Sequence, residues 1–200
     1  AVVRSPHAEQ LVGVARALAE GGLRAIEITM SVPHAIEVIR KVAAELGDGI
    51  ILGAGTVLDP ETARAAMLAG AEYVVSPTLN LDVIRMCRRY DKVVMPGAFT
   101  PTEVLTAWEA GADVVKIFPA DVAGPNYLKA LLAPLPQVRL MPTGGVDLDT
   151  AAAFLKAGAC CLGVGSSLVD KEAVRNGEFG RIRELAEAFV RIVRETRGRL

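Results

Sequence analysis

The chain has 200 residues, a length that suits one domain, and its 22 lysines and arginines against 23 aspartates and glutamates leave a formal charge of −1. That balance excludes a broad electrostatic footprint for nucleic acid or an anionic membrane. Apolar residues make up 52% and aromatics only 4%, in runs far short of the roughly 18 residues a membrane span needs, so a soluble protein with an aliphatic core is expected.

Short β-branched runs alternate with helix-like stretches from end to end, the pattern of a parallel sheet with helical crossovers. The predicted strands are Ala1–Arg4, Leu23–Thr29, Ile50–Gly53, Tyr73–Ser76, Lys92–Met95, Asp113–Phe118, Val138–Met141 and Cys160–Val164. Between them apolar residues recur at helical spacing, as in Leu11, Val14, Ala15 and Leu18, or Val38, Ile39, Val42 and Leu46. Asp59-Pro60-Glu61 and Thr100-Pro101-Thr102-Glu103 read as helix caps. Arg181 to Arg199 reads as an amphipathic outer helix with solvated charges. Eight αβ steps leave little room for insertions, so residues 1–200 are expected to form a single (β/α)8 barrel domain, an α/β fold of the TIM type. A doubly wound open sheet is the competitor, but the first connection, Arg4-Ser5-Pro6-His7, lacks the glycine-rich dinucleotide fingerprint.

An internal echo supports the barrel. Ala69-Gly70-Ala71, Ala110-Gly111-Ala112 and Ala157-Gly158-Ala159 each precede a predicted strand, and Gly21-Gly22-Leu23 is a looser copy. Each glycine is placed to stop a helix in the left-handed conformation. The echo falls on strands two, four, six and eight, as suits a barrel whose interior layers come from alternate strands.

In such a barrel the chemistry sits at the carboxyl ends of the strands. Lys116 interrupts Val114-Val115-Lys116-Ile117-Phe118. Burial there would populate the neutral amine, a nucleophile able to form an imine with a ketone; the alternative is a lysine that snorkels to the rim. Glu27, enclosed in Ala25-Ile26-Glu27-Ile28-Thr29, is either a general acid/base with a raised pKa or the partner of a buried base such as Lys116 or Arg4. Arg4 ends the first strand and Thr56 follows Gly53-Ala54-Gly55, read as a tight turn whose glycines let backbone approach a ligand; together they suit a carboxylate.

Pro142-Thr143-Gly144-Gly145-Val146 and Gly163-Val164-Gly165-Ser166-Ser167 end strands seven and eight. Glycine-rich loops there are where barrels of this kind commonly bind phosphate, through backbone N–H groups and a helix N-terminus; two tight turns are the plainer reading. His7 and His34 follow strands but neighbour prolines at helix starts, where caps and surface residues sit. With only these two histidines and no CxxC among Cys87, Cys160 and Cys161, metal-free chemistry in a reduced, cytoplasmic compartment is expected. The opening residues show no positive n-region followed by an apolar stretch, so secretion is not expected.

Taken in order, Glu27-Ile28-Thr29, Gly53-Ala54-Gly55-Thr56-Val57, Val75-Ser76-Pro77, Met95-Pro96-Gly97, Lys116-Ile117-Phe118-Pro119-Ala120, Pro142-Thr143-Gly144-Gly145-Val146 and Gly165-Ser166 resemble the bacterial Schiff-base 2-keto-3-deoxy-6-phosphogluconate (KDPG) aldolases over nearly the whole chain. The resemblance implies a homotrimeric (β/α)8 barrel, without metal or nucleotide cofactor, that cleaves a phosphorylated keto acid to pyruvate and glyceraldehyde 3-phosphate. It matches Lys116 to the imine-forming lysine and Glu27 to the acid/base. Arg4 and Thr56 fall around the pyruvate carboxylate, and Pro77, Pro96 and Phe118 at the walls of the pyruvate pocket. Thr143, Gly144, Gly145, Gly165 and Ser166 fall at the phosphate end.

Two departures stand out. Ser31 occupies the place where many members carry a carboxylate-binding arginine, which shifts that load to Arg4. The sequence also opens inside the predicted first strand, so the family's preceding helix is expected to be missing and the bottom of the barrel less covered. Three rival readings stay open. One is a related aldolase acting on the galactonate epimer or on 4-hydroxy-2-oxoglutarate. Another is a phosphate-binding isomerase or synthase that uses Lys116 only as a charge. The last is a catalytically idle trimeric scaffold.

Overall fold

The computed structural model describes residues 1–198; Arg199, assigned by its charge pattern to the last helix, and Leu200 lie outside the described residues. The chain alternates strand and helix. Strands β1 (Val2–Val3), β2 (Ala25–Thr29), β3 (Ile51–Gly55), β4 (Tyr73–Val75) and β5 (Val93–Met95) form one parallel sheet, and β6 (Gly97–Ala98), β7 (Val115–Ile117) and β8 (Leu140–Pro142) form another. β5 and β6 are one barrel stave interrupted at Pro96. Proline has no N–H to give the ladder, so regular pairing stops there, while the Pro96 carbonyl still accepts from Lys116 N at 2.9 Å.

The predicted eighth strand, Cys160–Val164, is not a regular strand. It contributes a single bridge between Thr143 and Gly163, and Cys160 and Cys161 are bent. Its backbone nevertheless closes the ring. Cys160 N donates to Leu140 O at 3.0 Å, Gly163 N to Pro142 O at 2.9 Å, and Val2 N to Val164 O at 2.8 Å. The result is the closed α/β barrel.

Helices α1 (Leu11–Glu20), α2 (Ala35–Leu46), α3 (Pro60–Leu68), α4 (Leu81–Arg89), α5 (Pro101–Glu109), α6 (Ala120–Leu132, broken at Gly124), α7 (Ala151–Lys156), α8 (Lys171–Asn176) and α9 (Phe179–Arg197) form the outer layer. Local chemistry sets their starts. The Asp59 carboxylate accepts from Thr62 N at 2.6 Å, Asn80 caps α4, and Thr100 with Glu103 makes the reciprocal box that opens α5. Gly22, Gly70, Gly111 and Gly158 all carry positive φ, as the echo requires. α9 packs on α1 and α7.

Two apolar cores result. The larger lies between strands and helices and includes Leu11, Leu18, Ile26, Ile39, Ile117, Leu128 and Leu140, all buried. Each such side chain contributes about 1.5–3 kcal/mol. The smaller fills the barrel interior with Tyr73, Val75 and Met141, flanked by Met95, Val114 and Cys161. At the amino end of the barrel, Ile51 and Val93 are 44% and 42% exposed.

Candidate active site

Strand alternation places Glu27 of β2 and Lys116 of β7 inside the barrel, since their neighbours Ile26, Ile28, Val115 and Ile117 belong to the outer core. Both charged residues are buried, at 3% and 5% exposure. No ion pair within 4.0 Å joins them among the described residues, and Glu27 Oε1 has no hydrogen-bond partner. Burial draws the Lys116 amine below its ordinary value, with Glu27 opposing the shift and Arg4 adding to it. Burial likewise pushes the Glu27 carboxyl up, against the pull of Lys116 and Arg4. An unpartnered amine with a lowered pKa is a nucleophile, and an unpartnered carboxyl whose pKa is raised by burial can both give and take a proton.

Gly53 and Gly55 make room for this arrangement. They lie within β3 and not in a tight turn, so the sequence reading is corrected. A Cβ at Gly55 would collide with the Glu27 carboxylate, and one at Gly53 with the ring of Tyr73. The close approach these glycines permit is therefore by neighbouring side chains inside the barrel, set by the parallel register of β2, β3 and β4. The same holds between Gly97 and the backbone of Pro77, which brings the half-buried Pro77 against the stave of Pro96. Phe118, 38% exposed, holds its ring centroid 5.2 Å from Lys116 Nζ.

Phe118 also lines a cavity of about 250 Å³ with Arg4, Thr143, Gly144, Gly145, Gly165, Ser166, Ser167 and Lys171. Among its described lining residues are two cations and no acid. The backbone N–H groups of Gly144, Gly145, Gly165 and Ser166 donate to no protein acceptor among the described residues. Thr143 Oγ1 is buried without a partner, against Gly163, where a Cβ would strike it. Such a cleft suits a dianion. The loops lead into the six-residue helices α7 and α8, the second by way of a turn in which Leu168 N and Val169 N donate to the Gly165 carbonyl, and loop N–H groups and side-chain cations line the cleft.

Not every candidate converges. Arg4 is exposed and lines the cleft, whereas Thr56 is half-buried, has φ 58°, and does not line it. His34 is exposed with φ 53° ahead of α2. His7 sits 3.5 Å from Glu9 at the surface. Ser31 bonds the buried Thr29 hydroxyl at 2.8 Å. Lys171 was not singled out from the sequence, because a lysine in the charged stretch Asp170-Lys171-Glu172 carries no signal of convergence; its nearness to the Gly165-Ser166 loop is the one hint available.

The barrel and its lysine-centred interior define a class, the class I aldolases, which are carbon–carbon lyases. Residues 1–185 match the family described as "Aldolase: KDPG and KHG aldolase". The chain is 37% identical over 193 residues to the 2-dehydro-3-deoxy-phosphogluconate aldolase of Treponema pallidum, covering 96% of this chain and 91% of that one. It is 36% identical over 197 residues to the 2-dehydro-3-deoxy-6-phosphogalactonate aldolase of Escherichia coli, covering 98% and 94%. The crystal structure of KDPG aldolase from Legionella pneumophila, with pyruvate captured as a covalent carbinolamine intermediate, superimposes with a TM-score of 0.86 at 30% identity, covering 94% and 91%. The chain belongs to the KDPG and KHG aldolase family. No described helix is long and apolar enough to cross a membrane.

Proposed function

We propose that residues 1–200 act as one barrel domain that cleaves 2-keto-3-deoxy-6-phosphogluconate reversibly to pyruvate and D-glyceraldehyde 3-phosphate, with Lys116 as the imine-forming residue. The observation that carries this reading is a buried lysine and a buried carboxyl with no ion-pair partner among the described residues, beside a cleft whose described lining holds two cations and no acid. Lys116 Nζ attacks the C2 ketone, and Glu27 supplies and removes protons as the carbinolamine loses water to give the iminium. Glu27 then takes the C4 hydroxyl proton, the C3–C4 bond breaks, and its electron pair moves into the iminium to leave an enamine. Protonation at C3 and hydrolysis release pyruvate and restore the amine.

Arg4 and Thr56 hold the carboxylate, and Pro77, Pro96 and Phe118 wall the pyruvate end. Thr143, Gly144, Gly145, Gly165 and Ser166 receive the phosphate, and the cleft's charge favours phosphorylated substrates over 4-hydroxy-2-oxoglutarate. The galactonate epimer differs at one carbon, so relative rates on the three substrates test the assignment. We place the enzyme in the cytoplasm as a homotrimer; the exposed Leu58, Leu68, Leu81 and Tyr90 around α3 and α4 supply apolar surface for association.

Incubation with pyruvate and borohydride is expected to fix one pyruvyl group on the peptide containing Lys116. Turnover without a trapped adduct would instead favour a barrel isomerase or synthase in which Lys116 acts only as a charge.

A further inference from the structure

In an extended strand, adjacent side chains leave on opposite faces. Cys160 and Cys161 break that rule. Both residues are bent, and their sulfurs lie 3.6 Å apart. Both are partly exposed, while Cys87 is buried. The pair sits at the amino end of the closing stave, opposite the Gly163–Ser166 loop.

The two thiols are not equivalent. The sulfur–sulfur contact, in which either thiol can donate, draws the Cys160 thiol down, with Arg139 and Arg197 adding to the effect against desolvation. The same contact drives Cys161 up, and burial pushes Cys87 up to about 12. The Arg197 guanidinium donates to the Cys160 carbonyl, and neither Arg139 nor Arg197 has an acidic partner within 4.0 Å among the described residues. Cys161 and Arg197 line a cavity of about 460 Å³ with Arg24 and Arg194, and no acid lines it among the described residues. A low-pKa, accessible thiolate with a second thiol in reach is the arrangement of a reactive cysteine and its resolving partner.

We propose that Cys160 and Cys161 form a thiol–disulfide exchange site for anionic low-molecular-weight disulfides, distinct from the Lys116 site. The Cys160 thiolate attacks one sulfur of the disulfide. A mixed disulfide forms, the reagent's S–S bond breaks, and its electron pair leaves with a thiolate that takes a proton from water. Cys161 then loses its proton to solvent and attacks the Cys160 sulfur, expelling the second thiol. The protein loses two electrons and the reagent becomes two thiols. Adjacent Cα atoms are about 3.8 Å apart, under the roughly 4.4–6.8 Å that disulfides usually span, so the closed ring is strained and readily reduced.

Glutathione disulfide is the probe. In the full chain, Cys160 and Cys161 are expected to close into a disulfide with release of two glutathione molecules and no retained adduct, and dithiothreitol should restore both thiols. Cys161→Ser should retain one glutathionyl group on Cys160, and Cys160→Ser should react at least about tenfold more slowly. Arg139→Gln should slow glutathione disulfide several-fold more than uncharged hydroxyethyl disulfide. Alanine variants repeat the readout if a serine variant fails to fold. Equal reaction of Cys160→Ser and wild type, labelling of Cys87 at the same rate, or an adduct that wild type never resolves would each overturn the proposal.

Discussion

The two ends of the proposed substrate path are built from different materials. At the pyruvate end two ionisable side chains sit inside the barrel, out of water and unpaired, so the chemistry depends on which residues they are. At the phosphate end the donors are loop N–H groups and exposed cations, so binding depends on backbone shape and on charge that solvent partly screens. Burial makes an individual side chain decisive; exposure spreads the same task over many weaker groups.

The sharpest way to break this contrast is Lys116→Ala. It should lower kcat by about four orders of magnitude or more, the scale set by losing a covalent nucleophile, with the circular dichroism spectrum retained. A residual rate within a factor of ten of wild type would mean that the buried end is not where bonds are made.

Glu27→Gln comes next, with a loss of about 10²–10⁴-fold. It also has a pH signature. Glu27 holds the Lys116 pKa up against desolvation, so its removal should move the midpoint of borohydride trapping with pyruvate to lower pH, as more amine is neutral at a given pH. Stability follows the opposite sense for the two groups. The raised Glu27 pKa stabilises the native state below the ordinary carboxyl value, and that contribution is lost as pH rises through the folded value. The lowered Lys116 pKa contributes stability only above the ordinary amine value, lost as pH falls through the folded one. Thermal melts of wild type and Glu27→Gln should therefore diverge towards alkaline pH, with the glutamine variant the more stable there.

At the exposed end the backbone should matter more than any one side chain. Gly145 has φ 67°, and a Cβ there would meet Cβ of Asp121 at 2.5 Å. Gly145→Ala should thus cost about 1–3 kcal/mol of stability and raise KM for the phosphorylated substrate more than it lowers kcat. Lys171→Met should have the smallest effect, a rise in KM of up to about tenfold confined to phosphorylated substrates, with Lys171→Arg close to wild type. An equal effect on 4-hydroxy-2-oxoglutarate would remove Lys171 from the phosphate cleft.

The buried end was the more legible in sequence. A charge inside an apolar run, as in Val115-Lys116-Ile117 or Ile26-Glu27-Ile28, stands out because burying it without purpose is costly. The glycine loops after strands seven and eight were legible by position. Lys171 was not, because a lysine among charged neighbours looks the same whether it faces a cleft or bulk water. Thr56 is a different case: a hydroxyl beside glycines suggested a place near Arg4 at the carboxylate, and it lies outside the glycine-loop cleft that Arg4 also lines. The interruption at Pro96 had a visible signal, a proline at the end of a strand pattern. The bend at Cys160–Cys161 had none.

What the sequence determined by itself is the alternation of elements, the caps at Asp59 and Thr100, the helix stops at Gly22, Gly70, Gly111 and Gly158, and the identity of the two buried ionisable groups. All of these follow from local sterics, hydrogen bonding and periodicity along the chain. Only the tertiary structure decided which glycines serve which side chains and which cations share a cavity. It also brought two adjacent cysteines into sulfur contact. Register between strands distant in sequence sets these distances, and no local pattern encodes it.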